Sequence, residues 1–322
     1  MTRMLKAVRP TVLRGVAVGA CLISLAGCGT SGDGEGAAGS SDEAALALSA
    51  QPTVNHVPKV GIQEMPAFPI EKYLPAVGED ARIAAASGEF IRVCMARFGY
   101  AYKVPEISQS TLESKENGAN RVRRYGVSSA TNAKINGYHL PGAGAPAAPG
   151  AEAQPMSETE NKVFIGDQDP VNGAKPGAKV DGKVIPAGGC SGEAQRKLGI
   201  KQRQRMAEKI NNVSFARSQE NPQVKKALKA WSECMARSGH SYRTPLEPLD
   251  DIQGQSAKPT EISAASADVV CKDSVNLAGT WFAIESSIQE ELISRNEEVL
   301  VADAKMFDSL VRRASAKIAQ AG

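Results

Sequence analysis

Twelve residues occur twice in this chain, and both times they read as the end of a helix. Residues Cys94 to Pro105 are CMARFGYAYKVP and residues Cys234 to Pro245 are CMARSGHSYRTP. Seven of the twelve positions are identical, and each has a structural job, so the duplication needs no ligand to explain it. A glycine after the last turn (Gly99, Gly239) accepts the left-handed conformation that closes a helix, and Pro105 or Pro245 prevents its resumption. The bulky residue after each glycine, Tyr100 or His240, can fold back on the last turn, and so can Tyr102 or Tyr242. Upstream, Ile83, Ser87, Phe90, Cys94 and Phe98 recur at three- and four-residue spacings and predict a helix from Asp80. In the second copy Asn221 is a predicted cap and Pro222 suits the first helical position. Val224, Leu228, Trp231 and Met235 supply the apolar stripe.

Six cysteines set the next constraint. The N-terminal fourteen residues carry Arg3, Lys6, Arg9 and Arg14 with no acid, and the apolar run GVAVGACLIS that follows is too short to span a bilayer. It ends in LAGC, Leu25 to Cys28, which resembles the signal of bacterial lipoproteins, in which the cysteine sulfur receives a diacylglyceryl group before cleavage. That resemblance implies removal of residues 1–27 with Cys21, a lipid on Cys28, and anchoring at the extracytoplasmic face of the cell membrane. Two acyl chains, at ~0.8 kcal/mol per buried methylene, hold a protein stably where one would not. Without residues 1–27 the 38 basic residues fall by four to 34 against 35 acidic ones, so the mature chain is near neutral and nucleic acid is not an expected partner.

Cys94, Cys190, Cys234 and Cys271 remain, an even set in an oxidising compartment. Of the three possible pairings, Cys94–Cys190 with Cys234–Cys271 is preferred, because each half then closes on itself around its own copy of the repeat. The first loop would be 96 residues and the second 37, a difference of 59 that matches a surface excursion in the first half. That excursion contains the low-complexity run PGAGAPAAPGAEAQP, an expected strand at KVFI (Lys162 to Ile165), and a hairpin signal at Asp181-Gly182. Ser191 is the expected cap of a helix through GGCSGEAQRKL.

The C-terminal region is the strongest helical text. Thr260 is the expected cap, and Ala265, Val269, Leu277, Trp281, Ile284, Ile288, Leu292, Leu300, Met306, Leu310 and Ile318 keep one apolar face, read as one long helix with a kink at Gly279. The expected fold is therefore mainly α: two related helix–cap–disulfide units packed on a long C-terminal helix, with a small β-hairpin and loop insertion in the first unit. The expected boundaries are 1–27 signal peptide, 28–58 lipidated cysteine and flexible tether, 59–220 first unit with insertion 140–189, and 221–322 second unit. Residues 29–55 are rich in Gly, Ser and Ala and would span roughly 30 Å as a flexible chain.

Recognised catalytic motifs are missing: there is no HExxH, GxSxG, phosphate loop or dinucleotide fingerprint. DQDPVNG, Asp167 to Gly173, departs from a calcium loop at Val171, Gly173 and Ala178, and a zinc site from Cys234, His240 and Cys271 competes with a bridge between the two cysteines. No catalytic residue, metal or cofactor is expected. The segment RVRRYGVSSATNAKINGYHLP is the candidate binding patch, with Arg123, Arg124, Tyr125, Tyr138 and His139 around a short helix capped by Ser128 or Ser129. Arginine forks suit carboxylate or phosphate and aromatic faces suit sugars, whereas Arg–Tyr pairs also pin loops to a domain. Arg196, Lys197, Lys201, Arg203, Arg205 and Lys209 form a second candidate surface, for anionic wall polymer or lipid headgroups, or else one of two solvated faces, the other carrying Glu285, Glu290, Glu291, Glu297, Glu298 and Asp303, that partly neutralise each other across a helix pair.

The stretches CM…G, RRYG…GYH, GGCSGEA and C…NL…W…E…Q…L…N resemble those of uncharacterised secreted lipoproteins of actinomycetes such as Streptomyces, over roughly residues 60–320. The resemblance implies a location and brings no activity. The expected function is a non-enzymatic envelope lipoprotein that binds a partner protein or an anionic envelope component. The rival is an envelope hydrolase or transferase using Glu285 with Glu290 or Glu291. A transporter's solute-binding lipoprotein fits poorly, since strand–helix alternation is lacking.

Overall fold

The computed structural model describes residues 43–60, 65–141, 156–166, 168–169, 173–174, 177–201, 205–250, 252, 254 and 256–320. The signal peptide, Cys28 and most of the DQDPVNG loop lie outside the described residues, as does Arg203. In chain order the elements are α1 (Val77–Arg97), α2 (Gln109–Glu113), α3 (Ala130–Asn136), α4 (Glu158–Ile165), the paired β1 (Gln168–Asp169) and β2 (Gly173–Ala174), and the paired β3 (Lys179–Val180) and β4 (Lys183–Val184). Then follow α5 (Gly189–Leu198), α6 (Met206–Gln219), α7 (Pro222–Arg237), α8 (Glu247–Asp250), α9 (Pro259–Ser274), α10 (Leu277–Arg295) and α11 (Glu297–Ala319). The fold is mainly α, and no helix among the described residues is long and apolar enough to cross a membrane.

Both copies of the repeat close their helices identically. Gly99 and Gly239 each have φ +83°, and each donates to the carbonyl three residues back, Ala96 or Ala236, at 3.1 Å. Tyr100 and His240 then donate to Met95 and Met235 at 3.2 and 3.0 Å, completing the 6→1 closure. A Cβ built on either glycine would meet nothing within 4 Å, so backbone conformation and not crowding requires glycine there. The bridges are Cys94–Cys190, joining α1 to α5, and Cys234–Cys271, joining α7 to α9.

Helix α10 is the axis of the main core. Leu277, Trp281, Ile284, Ile288 and Leu292 are fully buried along it, against Ile210 of α6 and Val224, Trp231 and Met235 of α7. Trp281 lies between Tyr125 and Phe215, with ring centroids 4.5 and 5.7 Å away, and its indole donates to Ser218 at 2.7 Å. A second core, separate from the first, gathers Ile91, Cys94, Met95 and Phe98 of the first copy with Val163, Ile185, Cys190 and Ala194.

Several expectations are corrected. The C-terminal region keeps a long last helix, the 23-residue α11, but is three helices and not one continuous rod, broken where Asn276 turns left-handed (φ 48°) and again at Asn296. Gly279 is not a kink: a Cβ there would lie 2.1 Å from the Pro58 carbonyl, so glycine admits a close approach of the N-terminal segment. KVFI is the end of α4, not a strand, because Ser157 and Glu160 form a capping box that starts a helix just upstream. Helix α1 starts at Val77 with Glu79 accepting from the Ala76 amide, and α5 starts at Gly189 before Ser191. Lys258, not Thr260, precedes α9 as its cap residue.

The largest correction concerns the tether. Residues 43–60 are laid onto α6, α7 and α10 as a strap. Asn296 donates to the Ala45 carbonyl at 2.9 Å, Asn221 to Pro52 at 2.7 Å and Asn276 to Pro58 at 3.0 Å. Gln223 pairs with both the amide and the carbonyl of Val54 at 2.9 Å. Arg217 and Arg295 hold the carbonyls of Leu46 and Ala47, and Leu46 is buried in the main core. Side-chain amides here replace the hydrogen-bond partners that an extended segment cannot supply to itself.

Candidate functional site: the cavity beside Arg121 to His139

The RVRRYG segment runs between two buried polar networks, and this decides which of its side chains face outward. A short 3₁₀ turn at Arg121–Arg123 follows Asn120, which is left-handed at φ 50°. The turn sends Arg124 and Tyr125 inward. Arg124 is buried and donates to Glu285 of α10, to the Asn211 carbonyl at 2.8 Å and to the Ala119 carbonyl at 3.3 Å. Its guanidinium lies 4.6 Å from the centroid of the Phe215 ring. The Tyr125 hydroxyl donates to the other Glu285 oxygen at 2.8 Å, and Ser214 reaches the first at 3.3 Å. Gln289 links Ser214 (3.0 Å) to the Ile70 amide (3.2 Å). Burial, and then the Glu285 carboxylate, raise the Tyr125 phenol well above its ordinary value, so it remains a donor.

On the other side Val127 accepts from Lys272 of α9 at 2.9 Å, and Lys272 pairs with Asp268 at 2.9 Å. Asp268 also accepts from the Trp231 indole at 2.9 Å. Burial lowers the Lys272 ammonium and raises the Asp268 carboxyl, each opposed by the other's charge. Between the networks only glycine fits, since a Cβ on Gly126 would lie 2.6 Å from the Pro245 carbonyl.

Tyr138 and His139 are buried too. Glu261 of α9 accepts from the Tyr138 amide at 2.8 Å and lies 3.4 Å from the His139 Nε2. Helix α3 is capped by Ser129, whose hydroxyl accepts from Asn132. The five candidate residues therefore do not form one open surface: Arg124, Tyr125, Tyr138 and His139 face the interior, where they fasten the segment to α9 and α10.

Arg123 is the exception. It lines a half-open cavity of about 760 Å³ together with Arg121, Lys115, Val122 and Leu140, and Glu71, Glu116, Val77 and Val127 are among the other residues of its walls. Arg121 is held by Glu71 at 3.0 Å and by the Met65 carbonyl at 3.3 Å. Arg123 is half-buried and donates to the Tyr138 carbonyl, and burial lowers the pKa of its guanidinium. The sequence pointed to Arg123 and to the segment that holds Val122 and Leu140, but singled out neither of those two, nor Lys115, which lies outside it.

The carboxylates proposed for catalysis do not converge. Glu285 is buried in its ion pair, Glu290 is exposed, and Glu291 accepts from the Ser49 amide at 2.9 Å. Five or six residues along a helix place side chains on different faces. The Cys234–Cys271 bridge occupies the sulfurs of the conceivable zinc set, and the described residues contain no group of three or more metal-ligating side chains. Two of the basic residues have acidic partners close in sequence, Lys197 with Glu193 at 2.7 Å and Arg205 with Glu208 at 2.5 Å, whereas Arg196 donates to the Ala187 carbonyl at 2.7 Å. No protein-family model matches the chain, and neither the curated proteins nor the solved structures give a match.

Proposed function

We propose that this chain is a lipid-anchored lipoprotein on the extracytoplasmic face of the cell membrane, related to the secreted actinomycete lipoproteins it resembles. In this reading it is a non-enzymatic binding protein whose partner is another envelope protein or an anionic envelope component. The observation that carries the binding reading is the cavity beside Arg123, where a charged, half-buried side chain and apolar walls meet in an open space. Two disulfides favour export to an oxidising compartment.

The test is recovery of partners from detergent-solubilised envelopes with wild-type protein and with Arg123→Ala or Lys115→Glu. Arg124 is left intact because its loss would strand Glu285 in the core. Specific loss of a co-purifying species in either variant supports the reading, and identical recovery from all three proteins removes this cavity as the binding surface. The anchor is tested separately by Cys28→Ser, which should abolish incorporation of labelled fatty acid and leave residues 1–27 uncleaved, whereas labelling equal to wild type would remove the anchor.

A further inference from the structure

We infer that the cavity takes an anionic amphiphile, a carboxylate or phosphate that pairs with Arg123 on an apolar body lying against Val77, Val122, Val127 and Leu140. The inference rests on the binding reading above and narrows it from an unspecified envelope partner to one ligand chemistry.

Charge gives the first reason. Among the described residues three cations line the cavity, Arg121, Arg123 and Lys115, against two carboxylates, Glu71 and Glu116. Arg121 and Glu71 neutralise each other, which leaves Arg123 and Lys115 against Glu116, a surplus of one positive charge. Among the described residues no carboxylate pairs with Arg123, whose hydrogen-bond partner is a neutral carbonyl. A half-buried guanidinium without a counter-ion is costly, and its lowered pKa reports that cost. An entering anion relieves it and meets a planar fork of donors.

Apolar surface gives the second reason. Val122 is 64% exposed, Leu140 58% and Val77 40%, all at the mouth of the same cavity, with Val127 buried at its back. One exposed valine is ordinary, but three large apolar side chains beside an unpaired cation form a surface with two chemistries. The described lining residues include no aromatic ring, the usual platform for a sugar, which turns the reading away from a neutral polysaccharide. The volume, about 760 Å³, falls within the range of roughly 300–1,000 Å³ typical of sites for small molecules and lipid-sized ligands.

The test uses full-length lipidated protein in zwitterionic nanodiscs, with empty nanodiscs as blank, and saturation-transfer NMR with four water-soluble probes: hexyl phosphate, hexanoate, hexanol and hexylammonium. One or both anions should bind at least tenfold more tightly than hexanol and hexylammonium. A tighter hexyl phosphate points to a phospholipid headgroup, and a tighter hexanoate to a fatty-acid carboxylate. Arg123→Gln should weaken anion binding at least tenfold, Arg123→Lys should retain part of it, and Arg312→Gln, on an exposed part of α11, should leave it unchanged. If Arg123→Gln does not fold, Val122→Asp decides, because that position is exposed and a negative charge at the mouth should repel the same probes tenfold. Equal binding of hexylammonium or hexanol overturns the inference, as does wild-type anion binding in Arg123→Gln or, where that variant does not fold, in Val122→Asp. Envelope partners recovered in an Arg123-dependent way without any probe binding would remove the amphiphile and leave the binding reading standing.

Discussion

The two copies of the twelve-residue stretch end their helices alike and are buried differently. The first copy, on α1, has Ile91 three residues before its cysteine. It builds a small core with α4, α5 and Ile185, pinned by the Cys94–Cys190 bridge. The second, on α7, has Trp231 at the same place, and that indole sits in the main core with its N–H on Asp268. Cap geometry is local, decided by a glycine and the six residues around it, and so it repeats. Burial is decided by what the rest of the chain brings, and so it does not.

The largest expected difference is in the core. Trp231→Ala should cost about 3–5 kcal/mol, since it opens a cavity and removes a donor from buried Asp268, whereas Ile91→Ala should cost about 2–4 kcal/mol. Urea denaturation of both variants measures this, and a larger loss at Ile91 would break the ranking of the two cores. Next come the bridges. Replacing either cysteine pair with alanine should cost roughly 2–5 kcal/mol. Hydrogen exchange should show loosening of α4, α5 and the β3–β4 hairpin for the Cys94–Cys190 pair, and of α7, α9 and the main core for the other.

Smaller and equal effects are expected at the caps. Gly99→Ala and Gly239→Ala each force alanine to φ +83° in open space and should each cost about 1 kcal/mol. Unequal values would mean that the caps are not equivalent. The smallest effect is acid sensitivity. The Ser49 amide, with the Arg295 charge beside it, holds the partly buried Glu291 carboxyl below its ordinary value of 4.5. A depressed native value means that the contribution is present above pH 4.5 and is lost as pH falls through the native value. Exchange at residues 43–60 should therefore rise on acidification below about pH 4.5. Glu193, raised by burial but lowered more by Lys197 and Arg97, clamps α5 to α1 in the same sense. That clamp is backed by a disulfide, so the strap should loosen first.

Much of the fold was legible because its signals are local. Asn221 accepts from Gln223 and starts α7, Asp181 and Gly182 turn the β3–β4 hairpin with φ of 49° and 76°, and each cysteine closes its own half. What was missed depends on distant partners. Nothing local in residues 43–60 announces that Asn221, Gln223, Asn276 and Asn296 will hold them. Ser157 and Glu160 did announce α4, but the β-branched and aromatic run after them reads equally as strand. At the site, Arg123 and Arg124 are neighbours of identical chemistry. The 3₁₀ turn after Asn120, with the distant partners of Arg124 (Glu285 and the Asn211 carbonyl), turns one inward and leaves the other at the cavity. Trp281, Glu285 and Gln289 recur every four residues on the face that also carries Ile284 and Ile288, a spacing that marks Glu285 as a buried polar group rather than the catalytic carboxylate the sequence suggested.

The central structural claim is that Arg124 and Glu285 are one buried unit that fixes the RVRRYG segment and so leaves Arg123 at the cavity. A double-mutant cycle by urea denaturation tests it most directly, with Arg124→Ala, Glu285→Ala and the pair. Each single change should cost about 3–5 kcal/mol, because it strands a buried charge, and the double variant should cost well below the sum. Two small and additive losses would contradict the account, since they would place the two charges apart and in contact with water.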